Sequence, residues 1–267
     1  MRTGRDQLRA ALAAHAASPN GVLVGEAVGV AGLSKGVTGN LLRTPLSEAG
    51  SVGAAAGLAL AGKRPVVELI DPAGVARAAE ALGEAAALGI RSNGTFNAAL
   101  VALVVLPDDG TLPVAPPGVL LAVAGVASDA AGMLLAAIAA NRPVLVVVTE
   151  SSLDSRGEAD TTALSEPVVR RAGTGLTVLA EGAGVALALS STEGVEVVDL
   201  RGCRDPKTIA ALAARTGRVV LVGHGDPSPL AAVSEQAFWR LEARPLSIQA
   251  AAGASALAAA ISDSFTP

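Results

Sequence analysis

The chain has 267 residues, of which 51% are hydrophobic and 16% are charged, so its composition is that of a folded protein with a sizeable core. Its net charge is −4, and without a basic run or many aromatic residues it lacks the charge and stacking surface that nucleic-acid binding requires. Asp129 and Arg142 interrupt the apolar segments before these reach the roughly 18 residues of a membrane span. A single cysteine, Cys203, excludes an internal disulfide framework, and we expect a cytoplasmic protein.

The predicted elements alternate between helices and strands along the chain. The first 21 residues predict a short amphipathic helix rather than a signal peptide, with His15 on its surface. Runs rich in β-branched residues predict strands at 21–28, 64–70, 98–107, 142–150, 176–180, 195–200 and 217–225. Stretches rich in alanine and leucine predict helices at 48–61, 73–88, 129–140, 207–215 and 229–240.

Continuous apolar strands that alternate with helices indicate a parallel α/β sheet covered on both faces. The segment at roughly 150–175 is polar and lacks apolar periodicity, so it predicts a linker between two α/β domains. We place a doubly wound parallel sheet in residues 1–160 and a smaller α/β domain in residues 161–267.

The stretch "RTPLSEAGSVGAAAGLALAGKRPVVEL" contains one acid, Glu48, within a small and apolar segment. Thr44-Pro45 predicts an extended or turn conformation, and Ser47 is a suitable N-cap, which places Glu48 in the first helical turn. Two interpretations of Glu48 stay open from these residues. It complements the helix dipole, or it carries chemistry.

Glycines follow Glu48 on one face of the same predicted helix. Gly50, Gly53 and Gly57 lie three and four residues apart, and each costs about 1 kcal/mol relative to alanine in a helix interior. Three such residues predict that another backbone packs closely against this face. Gly62 is the expected left-handed C-terminal cap of the helix.

Several segments, in this order, resemble the beta subunit of thiamin-diphosphate-dependent 2-oxo acid dehydrogenases and, more broadly, the transketolase superfamily. The specific block is "RTPLSEAGSVGAAAGLALAGKRPVVELI", preceded by "VLVGEAVG" and followed by a helix that ends "ALGEAAAL". Supporting matches are "VASDAAGMLLAAIAANRPVLVVVTESSL" and "VEVVDLRGCRDPKTIAALAARTGRVVLVGHGDP". The resemblance implies that the first domain is a pyrimidine-binding domain and that the second is a transketolase C-terminal-like domain.

The resemblance also implies a cofactor site. Glu48 occupies the position of the family's glutamate that hydrogen-bonds a ring nitrogen of the aminopyrimidine of thiamin diphosphate and favours its imino tautomer. Glu26 matches the first acid of the family's Gly-Glu-Asp segment, and we expect Leu46 and Ile70 to bind the cofactor beside it. The glycine face (Gly50, Gly53 and Gly57) is the expected interface with another subunit.

Three departures separate this chain from the family pattern. The family's aromatic loop after the Pro-Val-Val-Glu strand reads "LIDPAGVARAAEALGEAAAL" here, without an aromatic residue. The family's His-Ser-Gln loop is replaced by "LPDDGTLPVAPPG", so that His15 and His224 are the only histidines, and we read His224 as a loop residue. The Gly-Asp-Gly motif for Mg-diphosphate is absent, and Asp108-Asp109-Gly110 with Asn141 is a poor substitute.

The resemblance implies that an alpha-type subunit supplies Mg and the diphosphate site, since we predict no metal site in this chain. We interpret the chain as the beta-type subunit of a 2-oxo acid dehydrogenase (decarboxylating) or related transketolase-like enzyme. It would act in an α2β2 heterotetramer, and a lipoyl acyltransferase component is a candidate further partner. Two alternatives stay open. One is a degenerate, non-catalytic structural or regulatory partner of an alpha-type subunit, and the other is a transketolase-type half-enzyme that binds sugar phosphates through Arg142, Arg156 or Arg204.

Overall fold

The computed structural model describes residues 1–158, 163–191 and 193–266. The elements of the first half, in chain order, are β1 (Arg2–Thr3), α1 (Gly4–Ala17), β2 (Gly21–Gly25), β3 (Leu41–Arg43), α2 (Glu48–Leu60), β4 (Arg64–Glu68), α3 (Ala73–Arg77), α4 (Ala79–Arg91), β5 (Val101–Leu106), β6 (Leu120–Ala124), α5 (Ala127–Ala139), β7 (Val144–Thr149), α6 (Glu150–Asp154) and β8 (Arg156–Gly157). Those of the second half are β9 (Val168–Arg171), β10 (Thr177–Ala180), α7 (Ala183–Ser191), β11 (Glu196–Asp199), α8 (Pro206–Ala213), β12 (Val219–Gly223), α9 (Ser228–Gln236), β13 (Leu246–Gln249) and α10 (Gly253–Asp263), with 3₁₀ turns at Phe238–Arg240 and Ala250–Ala252.

The first sheet is fully parallel and has six strands in the order β3-β2-β4-β5-β7-β6. Its central strands β5 and β7 are almost wholly apolar because both of their faces are covered by helices. Alternate residues of β5 enter two separate cores, one closed by α2 and α4 and the other by α1 and α5. This arrangement confirms the predicted doubly wound sheet.

The second sheet has five strands in the order β13-β12-β10-β11-β9. Four strands are parallel, and β9 at one edge runs antiparallel to β11. Helices α8 and α9 cover one face, and α7 and α10 cover the other. A second, smaller α/β layer is therefore present, as the sequence predicts.

The polar segment at 150–175, which we predicted as a linker, contains regular structure. It supplies α6 and then β8, which pairs with β1 at the N-terminus, and it ends in β9 of the second sheet. The predicted boundary between residues 160 and 161 lies outside the described residues, so the division into 1–160 and 161–267 stays a prediction.

A buried network of charges joins the two layers. Asp129 of α5 accepts hydrogen bonds from Arg170 of β9 and from Arg201, whose Nη2 lies 2.9 Å from Asp129 Oδ1. Asp199, at the end of β11, accepts two further bonds from Arg170. No helix among the described residues is both long and apolar enough to cross a membrane.

Candidate functional site

The topology of the first sheet creates a crevice at one edge. The chain leaves β2 for β3 on one side and then crosses to β4 on the other, so neighbouring connections diverge at the carboxyl ends of β2 and β4. Ligands of open α/β sheets bind at such switch points. Glu26 follows β2, the turn into α2 follows β3, and Ile70 follows β4.

Local capping sets the position of Glu48 at this crevice. The Ser47 hydroxyl oxygen accepts a hydrogen bond from the backbone N–H of Gly50 at 3.1 Å, so Ser47 is the N-cap that the sequence predicts. Ser51 Oγ lies 2.7 Å from Thr44 Oγ1 and donates to the Ser47 carbonyl, which ties the first turn to the preceding strand connection. Glu48 is accordingly the first residue of α2, and its side chain is only 12% exposed.

The four residues predicted for the cofactor lie around one cleft. Glu26, Leu46, Glu48 and Ile70 all line it, together with Glu68, a residue that the sequence analysis did not single out. The cleft encloses about 10 Å³, which is room for a single water molecule and for no larger group within this chain alone. Leu46 and Ile70 are 71% and 56% exposed, so two apolar side chains project into solvent beside the acid.

Glu48 is paired with Arg77, which sequence reasoning missed. Arg77 Nε and Nη2 both donate to Glu48 Oε1, at 2.9 and 2.5 Å, and Arg77 Nη2 also contacts both oxygens of Asp71 at 3.1 and 3.2 Å. The hydrogen bond from Arg77 is the main cause that holds the pKa of Glu48 below its ordinary value. A signal was present, because Arg77 is the one cation between residues 65 and 90, inside the segment that departs from the family's aromatic loop.

Glu68 is occupied by the loop after β2. Its carboxylate accepts hydrogen bonds from the backbone N–H of Leu33 at 2.6 Å and from both the N–H and the hydroxyl of Ser34. These bonds hold residues 26–37 over the carboxyl end of β4. Glu68 therefore shapes one wall of the cleft, while Glu48 is the acid that stands at the helix start.

The glycine face of α2 is open. Among the residues that the structure describes, an added side-chain carbon at Gly53 or Gly57 would meet nothing within 4 Å, and one at Gly50 would meet only Ser47. The backbone that we predicted to pack closely against this face is therefore not found among the described residues of this chain. The exposed Leu46 and Leu60 flank the glycines at either end of the helix, and the role of this face as an interface stays a prediction.

Both histidines are buried, so the predicted surface position of His15 is wrong. His15 Nε2 lies 2.6 Å from the carbonyl oxygen of Arg64, and burial lowers the pKa of His15. His224 lies in the loop directly after β12, as predicted, and it is buried. It accepts a hydrogen bond from the Ala183 N–H at Nε2 (3.1 Å), so Nδ1 carries the proton and donates to the Gly110 carbonyl at 2.9 Å.

His224 thus fixes the segment that replaces the family's histidine loop. The Leu112 N–H donates to the His224 carbonyl at 3.0 Å, so the connection after β5 is bound to the end of β12 by side chain and backbone together. Asp108 of the same connection accepts hydrogen bonds from the N–H and hydroxyl of Ser151, at 3.1 and 2.9 Å. Within the described ranges, no group of three or more His, Cys, Asp or Glu side chains is arranged to hold a metal ion.

Known proteins resemble this chain over most of its length, although no protein-family model matches it. It is 32% identical to the 3-methyl-2-oxobutanoate dehydrogenase subunit beta of Mycobacterium tuberculosis (strain ATCC 25618 / H37Rv), over 75% of this chain and 67% of the relative. It is 30% identical to the pyruvate dehydrogenase E1 component subunit beta of Leifsonia xyli subsp. xyli, over 87% of this chain and 81% of the relative.

Solved structures agree in fold. A split-gene transketolase, described as an inactive beta4 tetramer, superposes with a TM-score of 0.75 over 99% of this chain and 98% of that one, at 18% identity. A 2-oxoglutarate:ferredoxin oxidoreductase from Magnetococcus marinus gives a TM-score of 0.64 over 97% of this chain and 65% of that one, at 11% identity. The fold is therefore transketolase-like, and the sequence relatives show that the chain belongs to the beta-subunit family of the thiamin-diphosphate-dependent 2-oxo acid dehydrogenases.

Proposed function

We propose that this chain is the beta-type subunit of a decarboxylating 2-oxo acid dehydrogenase, and that Glu48 is its catalytic residue toward the aminopyrimidine of thiamin diphosphate. The observation that carries the proposal is the convergence of Glu26, Leu46, Glu48 and Ile70 on one cleft at the switch point of the first sheet. The proposal includes a cytoplasmic location and the division of the chain into residues 1–160 and 161–267.

The donor set around Glu48 fits a heteroaromatic ring. Among the described residues, no side chain donates a hydrogen bond to Glu48 Oε2, so one carboxylate oxygen is free for a ring nitrogen. Leu46 and Ile70 offer apolar surface for the faces of a ring. The same residues do not suit a diphosphate, and we assign Mg and the diphosphate site to an alpha-type subunit in an α2β2 heterotetramer.

In this mechanism the cofactor, when bound, supplies the carbon nucleophile that makes decarboxylation of a 2-oxo acid feasible. Glu48 holds a proton at the ring nitrogen, which a carboxyl group can both donate and accept. Leu46 and Ile70 exclude water from that hydrogen bond once a partner covers them, and this strengthens it. Glu26 lines the same cleft beside the position that we propose for the ring.

A specific observation also favours the second candidate, a non-catalytic structural or regulatory partner. Arg77 already satisfies one oxygen of Glu48, and the connection after β5 has no histidine and is bound to β12 through His224. No observation favours a transketolase-type half-enzyme. Of its candidate phosphate ligands, Arg204 is committed to Glu181 and Asp226 at 2.7 Å each, and Arg142 donates to the Gly118 carbonyl.

The deciding experiment is to purify the tagged chain with its partners from its own host and to measure bound thiamin diphosphate. We expect stoichiometric cofactor, lost in Glu48→Ala and retained in the matched control Glu84→Ala, an exposed acid of α4. A tight complex that takes up no cofactor after addition of thiamin diphosphate and Mg would contradict the enzyme function and support the non-catalytic partner. Co-purification of a lipoyl acyltransferase would identify the further partner.

A further inference from the structure

The acid at the centre of the cleft has a counter-ion from its own chain. Arg77 Nε and Nη2 lie 2.9 and 2.5 Å from Glu48 Oε1, so both donate hydrogen bonds to this oxygen. Helix α3 also packs directly against Glu48, since a side-chain carbon added at Gly74 would lie 3.3 Å from Glu48 Cγ. Asp71 fixes this arrangement from both ends of α3, because its Oδ1 accepts from the Gly74 N–H at 2.8 Å and from Arg77. The pairing is therefore built by the turn between β4 and α3.

We propose that Arg77 is a positioning residue whose guanidinium competes, for the negative charge of Glu48, with the proton that Glu48 would share with an incoming heteroaromatic ring nitrogen, so that Arg77 lowers the affinity for the cofactor. This inference rests on the proposed function. A carboxyl group and a ring nitrogen that share a hydrogen bond carry one proton more than a free carboxylate and a neutral ring. A cation 2.9 Å from the carboxylate opposes that extra proton.

The other charges at the cleft do not cancel this effect. Glu26 and Glu68 also line it, but Glu26 is not among the groups that shift the pKa of Glu48. Glu68 is occupied by Leu33 and Ser34, and Asp71 faces Arg77 rather than Glu48. Arg77 is the cation among these groups, and its hydrogen bond is the largest cause of the lowered pKa of Glu48. The competition therefore depends on one side chain.

The ion pair can be displaced. The Arg77 side chain is 48% exposed, and exposed ion pairs hold weakly because water and salt screen them. A ring nitrogen can therefore share a proton with Glu48 despite Arg77, with a modest loss of affinity. We expect a cost of about twofold to fivefold in cofactor affinity.

The first test needs no cofactor. The full chain is labelled with ¹³C at the glutamate carboxyl carbons, and Glu48 is assigned by comparison with Glu48→Gln. We expect Glu48 to titrate at higher pH in Arg77→Met and Arg77→Gln than in the natural chain, and to titrate as in the natural chain in Arg77→Lys. Arg91→Met, which removes an exposed ion pair of α4, is the matched control and leaves Glu48 unchanged. An unchanged titration in both neutral variants, with circular dichroism showing that they fold, would overturn the proposal.

The second test uses the complex purified from the host, stripped of cofactor, with thiamin diphosphate and Mg as titrants. We expect the Arg77→Met complex to bind about twofold to fivefold more tightly than the natural one, with Arg77→Lys restoring the natural affinity. Equal affinities in all three would overturn the competition and leave the proposed function standing. Absence of binding in all three would overturn the proposed function itself.

Discussion

Asp129 carries a buried charge at the contact between the two layers, and replacing it with asparagine tests its contribution to stability. Its side chain is fully buried and accepts hydrogen bonds from Arg170 and Arg201. The network of two arginines with Asp129 and Asp199 is balanced in charge. Asp129→Asn keeps the shape of the side chain and leaves two largely buried guanidinium groups with one carboxylate.

The expected cost follows from burial. Removing one partner of a buried ion pair leaves an uncompensated charge and costs about 3–5 kcal/mol of the free energy of unfolding. Among the described residues, the buried Nε of Arg201 already has no hydrogen-bond partner, so the loss of Asp129 leaves this guanidinium group still less satisfied. For a chain of this size, about 2–4 °C per kcal/mol converts the loss into a melting temperature lower by roughly 6–20 °C.

Urea unfolding followed by circular dichroism measures the loss. The matched control is Asp154→Asn, which removes the exposed pair between Asp154 and Arg5, and we expect it to leave the urea midpoint nearly unchanged. The double variant Asp129→Asn with Arg201→Met restores charge balance and recovers part of the stability. A loss below about 1 kcal/mol in Asp129→Asn would refute the reasoning, because the network would then be as well solvated as a surface pair.

Three further predictions concern single residues. Burial lowers the pKa of His15 below its ordinary 6.5, so on acidification the unfolded chain binds a proton before the folded chain does. The free energy of unfolding therefore falls as pH drops below about 6.5, and urea titrations at several pH values should show that His15→Gln removes this component. His224→Ala leaves the Ala183 N–H and the Gly110 carbonyl without their partner and costs about 1–3 kcal/mol, with faster limited proteolysis within residues 107–119 as the measurement. Gly57→Leu keeps or raises the melting temperature of the chain but abolishes co-purification of an alpha-type partner, because the new side chain meets open space here and would occupy the predicted interface.

Local signals predicted the start of the candidate site well. Ser47 caps α2, Glu48 begins it and Gly62 follows it with a left-handed φ of 86°, all of which depend on neighbours in the sequence. The doubly wound sheet was also predictable, because only strands covered on both faces are apolar at every position. His15 could have been predicted as buried, since it follows Leu8 and Leu12 at helical spacing on the buried face of α1.

Other features had no local signal. Strand β13 has four residues and strand β3 has three, so neither is long enough for its hydrophobic pattern to predict a strand. The pairing of Arg77 with Glu48 joins residues 29 positions apart and depends on how the turn after β4 directs α3. The cation was visible in the sequence, but its target became visible only with the tertiary structure.

The open glycine face also bears on how the protein is assembled. Helix α2 has 13 residues, of which only Ser51, Val52, Ala55 and Ala59 are buried, and its three glycines weaken it by about 1 kcal/mol each relative to alanine. It is therefore a helix of the first layer that we expect to open in local unfolding, well below the free energy of global unfolding. A subunit that covers this face would suppress that opening, so the ordering of the turn that carries Glu48 would be thermodynamically linked to oligomerisation.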